Sequence, residues 1–172
     1  GGFERVFEIN RNFRNEGLST RHNPEFTMVE FYQAYADYFD LMDLTEELLK
    51  DIVQKALGTL AVTYQEKILD FSKPFERYTI KEAILHFNTD VKSADLEDRT
   101  VLTTLLKKHG IAIDKAWGLG RLQLELFDCT VESKLQQPTF ITEYPTEVSP
   151  LARCNEKNPD VTDRAELFIA GR

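Results

Sequence analysis

Apolar and polar residues alternate along the first part of the chain, and this period of two predicts β-strands. Between Phe3 and Arg14 the phenylalanines stand at odd positions, while most even positions are polar. A second strand is predicted after this one, and one of its faces carries Phe26, Met28, Glu30 and Tyr32. Residues 15–24 include Gly17 and Pro24 and are too many for a tight hairpin turn, so they predict a loop with room to fold over a ligand.

The apolar positions then recur at helical spacing. A helix is predicted to begin at Asp43, because Asp43 and Glu46 fit a capping box, and to end at Gly58. Its apolar stripe consists of Leu44, Leu48, Ile52 and Ala56. A short strand is predicted over residues 60–64.

Three further helices are predicted in the middle of the chain. The first begins at Thr79, which can form a second capping box with Glu82. The second covers residues 95–109. The third covers residues 115–135 and stops at Pro138. Three consecutive helices of this kind indicate an inserted helical subdomain.

Strands near both ends and helices between them predict an α+β fold with a small inserted helical subdomain. The last predicted strands cover residues 139–144 and 164–170. We therefore divide the chain into a hairpin with its following helix at 1–72, a helical insertion at 73–136, and core strands at 137–172.

The charge balance narrows the possible functions. With 21 Lys and Arg against 29 Asp and Glu, the net charge is −8, which argues against a general affinity for polyanions. Charged residues interrupt every apolar stretch before the roughly 18 residues of a membrane span, and no leader peptide is visible, so a cytoplasmic protein without membrane contact is predicted. Cys129 and Cys154 lack C-x-x-C spacing and are predicted to be reduced thiols.

Residues 14–32 carry the densest set of candidate functional groups. Arg14 can hold a phosphate oxygen, and Arg21 and His22 lie on a loop that can close over further phosphates. The second strand adds an aromatic ring, a carboxylate and a phenol on one face, which suit a flat base and a cationic amine. The alternative is a solvated hairpin whose charges pair with each other, and charge density alone favours that alternative.

The run from Phe13 to Tyr38, FRNEGLSTRHNPEFTMVEFYQAYADY, resembles motif 2 of the class II aminoacyl-tRNA synthetases, in the form typical of the lysine enzymes. F-R-x-E and H-x-x-x-F are features of the class, whereas RNEG and RHNPEFT are features of the lysine enzymes. Residues 137–152 and 163–172 resemble the strands that approach motif 3 in the same family. The resemblance covers nearly the whole chain and outweighs the solvated-hairpin alternative. It implies that the strands form part of the class II synthetase antiparallel sheet, flanked by helices.

The resemblance implies ATP binding by Arg14, Glu16, Arg21, His22, Asn23 and Phe26. Arg14 would be the catalytic residue, in contact with the α-phosphate of ATP and the carboxylate of lysine. Phe26 would stack on adenine, and His22 with Arg21 would meet the distal phosphates. Glu16 would accept a hydrogen bond from either the adenine amino group or the substrate α-ammonium.

Glu30 and Tyr32 resemble residues that shape the pocket for the lysine side chain, where an ammonium needs acceptors. Glu166 matches the first of two carboxylates that hold the Mg²⁺ ions bridging the ATP phosphates, and the second would lie just past Arg172. The implied reaction is attack of the L-lysine carboxylate on the α-phosphorus of ATP. It gives lysyl-adenylate and pyrophosphate, and the full-length enzyme then transfers lysine to tRNA(Lys).

Family members have further parts that these 172 residues do not show. These are an anticodon-binding barrel, a motif 1 that forms the dimer interface, and a motif 3 that completes the phosphate site. We therefore expect a fragment of the catalytic core that is inactive by itself, and a homodimer for the full-length enzyme.

Three alternatives stay open. A shorter paralogue attaches lysine to a translation elongation factor, but it typically lacks the G-x-S-x-R loop present here as Gly17, Ser19 and Arg21. The aspartyl and asparaginyl enzymes lack the pairing of Glu30 with Tyr32. A non-catalytic binding module could also have kept the fold.

Overall fold

The first part of the chain folds as a β-hairpin. The computed structural model describes residues 2–15, 17–19 and 22–172, which divide into two units, residues up to Asp37 and residues from Tyr38 onward. In the first unit, β1 (Arg5–Phe13) pairs antiparallel with β2 (Glu25–Gln33). The two strands predicted from the alternating pattern are thus confirmed.

Two sheets lie in the second unit, residues 38–172. A hairpin consists of β3 (Ala61–Tyr64) and β4 (Lys67–Asp70). The other sheet has the order β5-β6-β7 and consists of β5 (Glu76–Thr79), β6 (Thr139–Thr142) and β7 (Ala165–Phe168). Strand β6 pairs parallel with β5 and antiparallel with β7, so this sheet is mixed rather than wholly antiparallel as predicted.

Four α-helices in the described part of residues 38–172 accompany these sheets. They are α1 (Tyr38–Leu57), α2 (Ile80–Phe87), α3 (Arg99–Lys108) and α4 (Leu119–Thr130). Short 3₁₀ segments occur at Ser93–Glu97, Glu132–Lys134 and Thr146–Val148. Strands and helices together confirm the α+β class. None of the described helices is long and apolar enough to span a membrane.

The mixed sheet separates two apolar clusters. Ile141 and Phe140 are neighbours on β6, and their side chains point to opposite faces because strand side chains alternate. Ile141 belongs to the larger cluster with α2, α3 and α4, which includes the fully buried Leu102. Phe140 belongs to the smaller cluster, together with Met42 of α1 and Phe75. Strand β6 is therefore packed on both faces.

The predicted start of the first helix is wrong. Helix α1 begins at Tyr38, so Asp43 and Glu46 lie inside it and do not cap it. Both carboxylates instead face the guanidinium of Arg77, at 2.5 and 3.5 Å. The predicted end is confirmed, because Gly58 follows the helix with a φ of +70°, a conformation that favours glycine.

The second capping box is confirmed. The Thr79 hydroxyl accepts a hydrogen bond from the Glu82 N–H at 3.1 Å, and the Glu82 carboxylate accepts one from the Thr79 N–H at 2.8 Å. The helix predicted over 95–109 begins later than expected, because the Asp98 side chain accepts from the N–H of Thr100 at 2.7 Å and caps α3 there.

Helix α4 is shorter than the predicted 115–135. Its first turn is capped from a distance, since the Glu147 carboxylate accepts from the N–H groups of Gly118 and Arg121 at 2.7 and 3.1 Å. A side chain at Gly118 would displace this carboxylate from its position at the helix start. The division of the chain into 1–72, 73–136 and 137–172 stays a prediction.

Candidate functional site

The register of the hairpin brings the even-numbered positions of β1 and β2 onto one side. Phe26 lies opposite Asn12, and Glu30 lies opposite Glu8. Because directly paired residues in an antiparallel ladder point to the same face, Phe26, Glu30 and the β1 residues at even positions share that face. We call this side of the hairpin the site face.

Arg14 and Phe26 are in contact at one end of the site face. The Arg14 guanidinium lies over the Phe26 ring, with its central carbon 5.5 Å from the ring centroid. The Arg14 N–H donates to the carbonyl of Pro24 at 2.9 Å, which holds the backbone just after β1. The guanidinium itself is exposed, so its N–H groups can donate to an anion while its carbon packs on the ring.

In the loop after β1, His22 is in contact with Ser19. The His22 N–H donates to the Ser19 hydroxyl at 3.0 Å, and the same hydroxyl lies 2.9 Å from the ring nitrogen Nδ1. This contact leaves Nε2 as the ring nitrogen available to a further partner. Asn23 follows and is exposed. The predicted ATP-binding residues Glu16 and Arg21 lie outside the described residues.

Glu30 and Tyr32 form a pair on the site face. The Tyr32 hydroxyl donates a hydrogen bond to the Glu30 carboxylate, and this bond, with the nearby negative charge, raises the pKa of Tyr32 above its ordinary value. The phenol therefore stays a donor at neutral pH. Glu8 lies across from Glu30, which adds a second carboxylate to the face. Two carboxylates and a phenol oxygen suit a cationic amine.

Glu166 belongs to the other unit, where it lies in β7. Its Oε2 accepts from the Tyr144 hydroxyl at 2.8 Å, and its Oε1 accepts from the Arg164 guanidinium. Arg164 also lies over the Tyr144 ring at 4.6 Å and donates to the Ser149 hydroxyl at 2.7 Å. Burial, followed by the charge of Glu166, raises the pKa of Tyr144 far above its ordinary value.

A second carboxylate contributes to the negative field near Glu166. The pKa of Asp128 on α4 is raised to about 6, first by burial and then by the charges of Glu132 and Glu125, with a smaller contribution from Glu166. No group of three or more metal-ligating side chains occurs within residues 2–15, 17–19 and 22–172. A single carboxylate is nevertheless compatible with Mg²⁺, which is usually held by one or two carboxylates together with substrate phosphates.

Two clefts in residues 38–172 lie apart from the predicted site residues. One, of about 450 Å³, is lined by residues that include Lys81, Gln123, Glu147 and Asp160. The other, of about 440 Å³, is lined by residues that include Asp43, Lys50, Phe75 and Arg77. Glu166 lines neither of them, so we do not include these clefts in the candidate site.

Sequence reasoning missed several partners of the predicted residues. Glu8 could have been found, because pairing the two strands in register brings it opposite Glu30. Tyr144 and Ser149 contact the Glu166–Arg164 pair from 22 and 15 residues away, and no local pattern links them to it. Arg164 stands two residues before Glu166 in the predicted strand 164–170, so the alternation of strand side chains places both on one face, and they form an ion pair.

Comparison with known proteins places these residues in a family. The sequence model described as tRNA synthetases class II (D, K and N) matches residues 1–172. A lysine–tRNA ligase of Edwardsiella ictaluri is 62% identical over 172 residues, which are all of this chain and 34% of that protein. A lysine–tRNA ligase of Legionella pneumophila (strain Paris) is 61% identical, with 35% of its length covered. The heat-inducible lysine–tRNA ligase of Escherichia coli K12 is 59% identical, with 34% covered. The chain thus spans about a third of the length of the curated relatives it matches.

Proposed function

This chain belongs to the class II tRNA synthetases (D, K and N), and we propose that it is the part of a lysine–tRNA ligase that carries motif 2. The proposal rests chiefly on one observation: relatives named lysine–tRNA ligase are about 60% identical along its entire length. The complete protein would activate L-lysine with ATP and transfer it to tRNA(Lys). It would act as a homodimer in the cytoplasm.

The proposed chemistry brings two anions together, the lysine carboxylate and the α-phosphate of ATP. Catalysis then depends on positioning and charge neutralisation more than on proton transfer. Arg14 would donate to both anions at once, and its packing on Phe26 supports this role because the guanidinium keeps its N–H groups exposed. Phe26 would offer its remaining ring surface to adenine.

The distal phosphates of ATP would meet the loop after β1. His22 would donate from Nε2, since Nδ1 already contacts the Ser19 hydroxyl. The proposed ATP-binding set is completed by Asn23, Arg21 and Glu16. Glu16 would accept a hydrogen bond from either the adenine amino group or the substrate α-ammonium.

Selection of lysine would depend on Glu30 and Tyr32. The hydrogen bond between them fixes the carboxylate as an acceptor for the ε-ammonium of lysine, and the opposing Glu8 strengthens the negative field there. An aspartate or asparagine side chain carries no positive charge and would leave these acceptors without a partner. This arrangement favours the lysine enzyme over the other two members of the group.

Glu166 would hold Mg²⁺ together with the ATP phosphates. When bound, the ion would supply charge neutralisation at those phosphates. The Glu166 carboxylate has the chemistry that Mg²⁺ prefers, and its side chain is 39% exposed, so an ion can reach it.

Amino-acid-dependent exchange of pyrophosphate into ATP tests this proposal. The protein encoded by the complete open reading frame should catalyse exchange of pyrophosphate into ATP when L-lysine is present. The rate with aspartate or asparagine should be at least about a thousandfold lower. Charging assays with tRNA(Lys) and with elongation factor then separate the ligase from its protein-modifying paralogue. Exchange that does not depend on lysine would contradict the proposal, and an absence of exchange would favour a non-catalytic module.

A further inference from the structure

Glu166 is held by side chains that come from separate parts of residues 38–172. The hydroxyl of Tyr144, which follows β6, donates to Oε2 at 2.8 Å. Arg164, just before β7, donates to Oε1 and is itself tied to the Ser149 hydroxyl at 2.7 Å. Both oxygens of this carboxylate therefore have a fixed donor.

Tyr144 is the more rigid of the two donors. Only 3% of Tyr144 is exposed, and the Arg164 guanidinium covers its ring at 4.6 Å. A buried phenol cannot turn toward water for a replacement partner, so its hydroxyl is committed to Glu166. Arg164, by contrast, has a side chain that is 37% exposed.

Glu166 keeps acceptor capacity beyond its bonds to Tyr144 and Arg164. A carboxylate offers about four lone-pair positions. Tyr144 and Arg164 each use one of them, on different oxygens, so each oxygen keeps a position for a cation. Because the side chain of Glu166 is 39% exposed, these positions are accessible.

We propose that Tyr144 is a positioning residue for cation binding by Glu166: its buried hydroxyl fixes Oε2 and aims the free lone pairs at the ion. The inference rests on the proposed role of Glu166 in holding Mg²⁺. Tyr144 does not touch the ion. It acts through the carboxylate, as hydrogen-bond partners of metal ligands generally do.

The same sheet offers a matched control. On β5, the Tyr78 hydroxyl donates to the Glu76 carboxylate at 3.1 Å. Tyr78→Phe also removes a tyrosine hydroxyl that donates to a glutamate, but we assign no ion to this glutamate.

The test uses the protein encoded by the complete open reading frame. Mn²⁺ alone is titrated, and the free ion is followed by electron paramagnetic resonance. Tyr144→Phe should weaken Mn²⁺ binding about tenfold. It should raise the Mg²⁺ concentration for half-maximal lysine-dependent exchange by about the same factor, with the KM for lysine unchanged. Tyr78→Phe should change neither quantity.

Coupling to Glu166 provides the second measurement. Glu166→Gln should abolish the Mn²⁺ binding attributed to this site and raise the Mg²⁺ concentration for half-maximal exchange. Adding Tyr144→Phe to it should raise that Mg²⁺ concentration no further, because Tyr144 acts only through the carboxylate. A further rise in the double variant overturns the inference. So does a rise of the lysine KM together with the Mg²⁺ requirement in Tyr144→Phe, which indicates a general loss of structure.

Two failures are distinguishable. If Glu166→Gln binds Mn²⁺ and uses Mg²⁺ as the unaltered protein does, the proposed role of Glu166 is wrong, and the inference falls with it. If Glu166→Gln loses the ion but Tyr144→Phe does not, the proposed function stands and only the positioning role of Tyr144 is overturned.

Discussion

The hairpin and residues 38–172 hold their candidate site residues in different ways. On the hairpin, the partners are close in sequence: Tyr32, which is 62% exposed, donates to Glu30 two residues earlier. In residues 38–172, the partner of Glu166 is Tyr144, which is 22 residues away and 3% exposed. The site face is thus ordered by strand register, whereas Glu166 is ordered by burial of its neighbour.

Apolar side chains show the same contrast. Phe7 is 73% exposed on β1, whereas Phe127 is 1% exposed on α4 and packs edge-on against Phe168 at 5.8 Å between ring centroids. An isolated two-stranded hairpin is at best marginally stable in water. We therefore expect the stability of this chain to depend on residues 38–172. We expect the hairpin to contribute mainly ligand-binding and catalytic side chains.

The largest predicted effect tests this division of roles. In the 172-residue chain, Phe127→Ala should lower the free energy of unfolding by about 4 kcal/mol, because it leaves a cavity between α4 and β7. Phe7→Ala should lower it by less than about 1 kcal/mol, because the ring is already in water. Urea denaturation followed by circular dichroism measures both. Equal losses of unfolding free energy in the two variants would contradict the proposed difference between the hairpin and residues 38–172.

The second prediction concerns the hairpin as the place of the chemistry. In the complete protein, Arg14→Ala should reduce lysine-dependent ATP–pyrophosphate exchange at least about a hundredfold, because a donor to both anions is removed. The variant should unfold at the same urea concentration as the unaltered protein, since the guanidinium is exposed.

Arg11→Ala is the control for this experiment. Arg11 lies on β1, three residues before Arg14, but it is paired opposite Thr27, away from the site face, and forms an exposed ion pair with Glu25 at 3.2 Å. Arg11→Ala should leave the rate of exchange within about twofold of that of the unaltered protein, because exposed ion pairs contribute little to stability. Near-normal exchange by Arg14→Ala, or an equal loss in both variants, would remove Arg14 from the proposed role.

The third prediction separates binding from chemistry on the site face. Phe26→Ala should raise the KM for ATP about tenfold, since stacking on an aromatic ring contributes roughly 1–3 kcal/mol per base, while the KM for lysine changes little. Phe31→Ala is the control, because Phe31 pairs with Phe7 on the opposite face. An unchanged KM for ATP in Phe26→Ala would refute the stacking role.

The sequence predicts elements well where the signal is local. The alternation that defines β1 and β2, the capping box at Thr79 and the glycine after α1 all act over a few residues, and the structure confirms each. The helix starts were predicted less well. Glu147 caps the start of α4 from 29 residues away. Asp43 was predicted to cap α1 but binds Arg77, 34 residues away. The start of α3 was also misplaced, although its cap, Asp98, is local.

The candidate site shows the same limit. Resemblance to a family supplied the residues, and strand register supplied the face that Glu30 shares with Phe26. Neither could supply Tyr144, since its contact with Glu166 exists only after β6 and β7 pair. Strands β4 and β5 were not predicted from the sequence.

The smallest predicted effect lies in residues 38–172 and depends on pH. The pKa of Asp128 is raised to about 6, above the value near 3.9 of an unfolded chain, chiefly by burial. Its contribution to stability is therefore full below about pH 4 and is lost as the pH rises through 6. Asp128 is an exposed residue, so water screens much of this effect, and we expect the loss to be about 1 kcal/mol rather than the full value of the shift. Asp128→Asn should remove it, so the variant should gain about 1 kcal/mol relative to the unaltered chain between pH 4 and pH 7 in urea denaturation. A difference that stays constant over this range would show that burial does not act on Asp128 in this way.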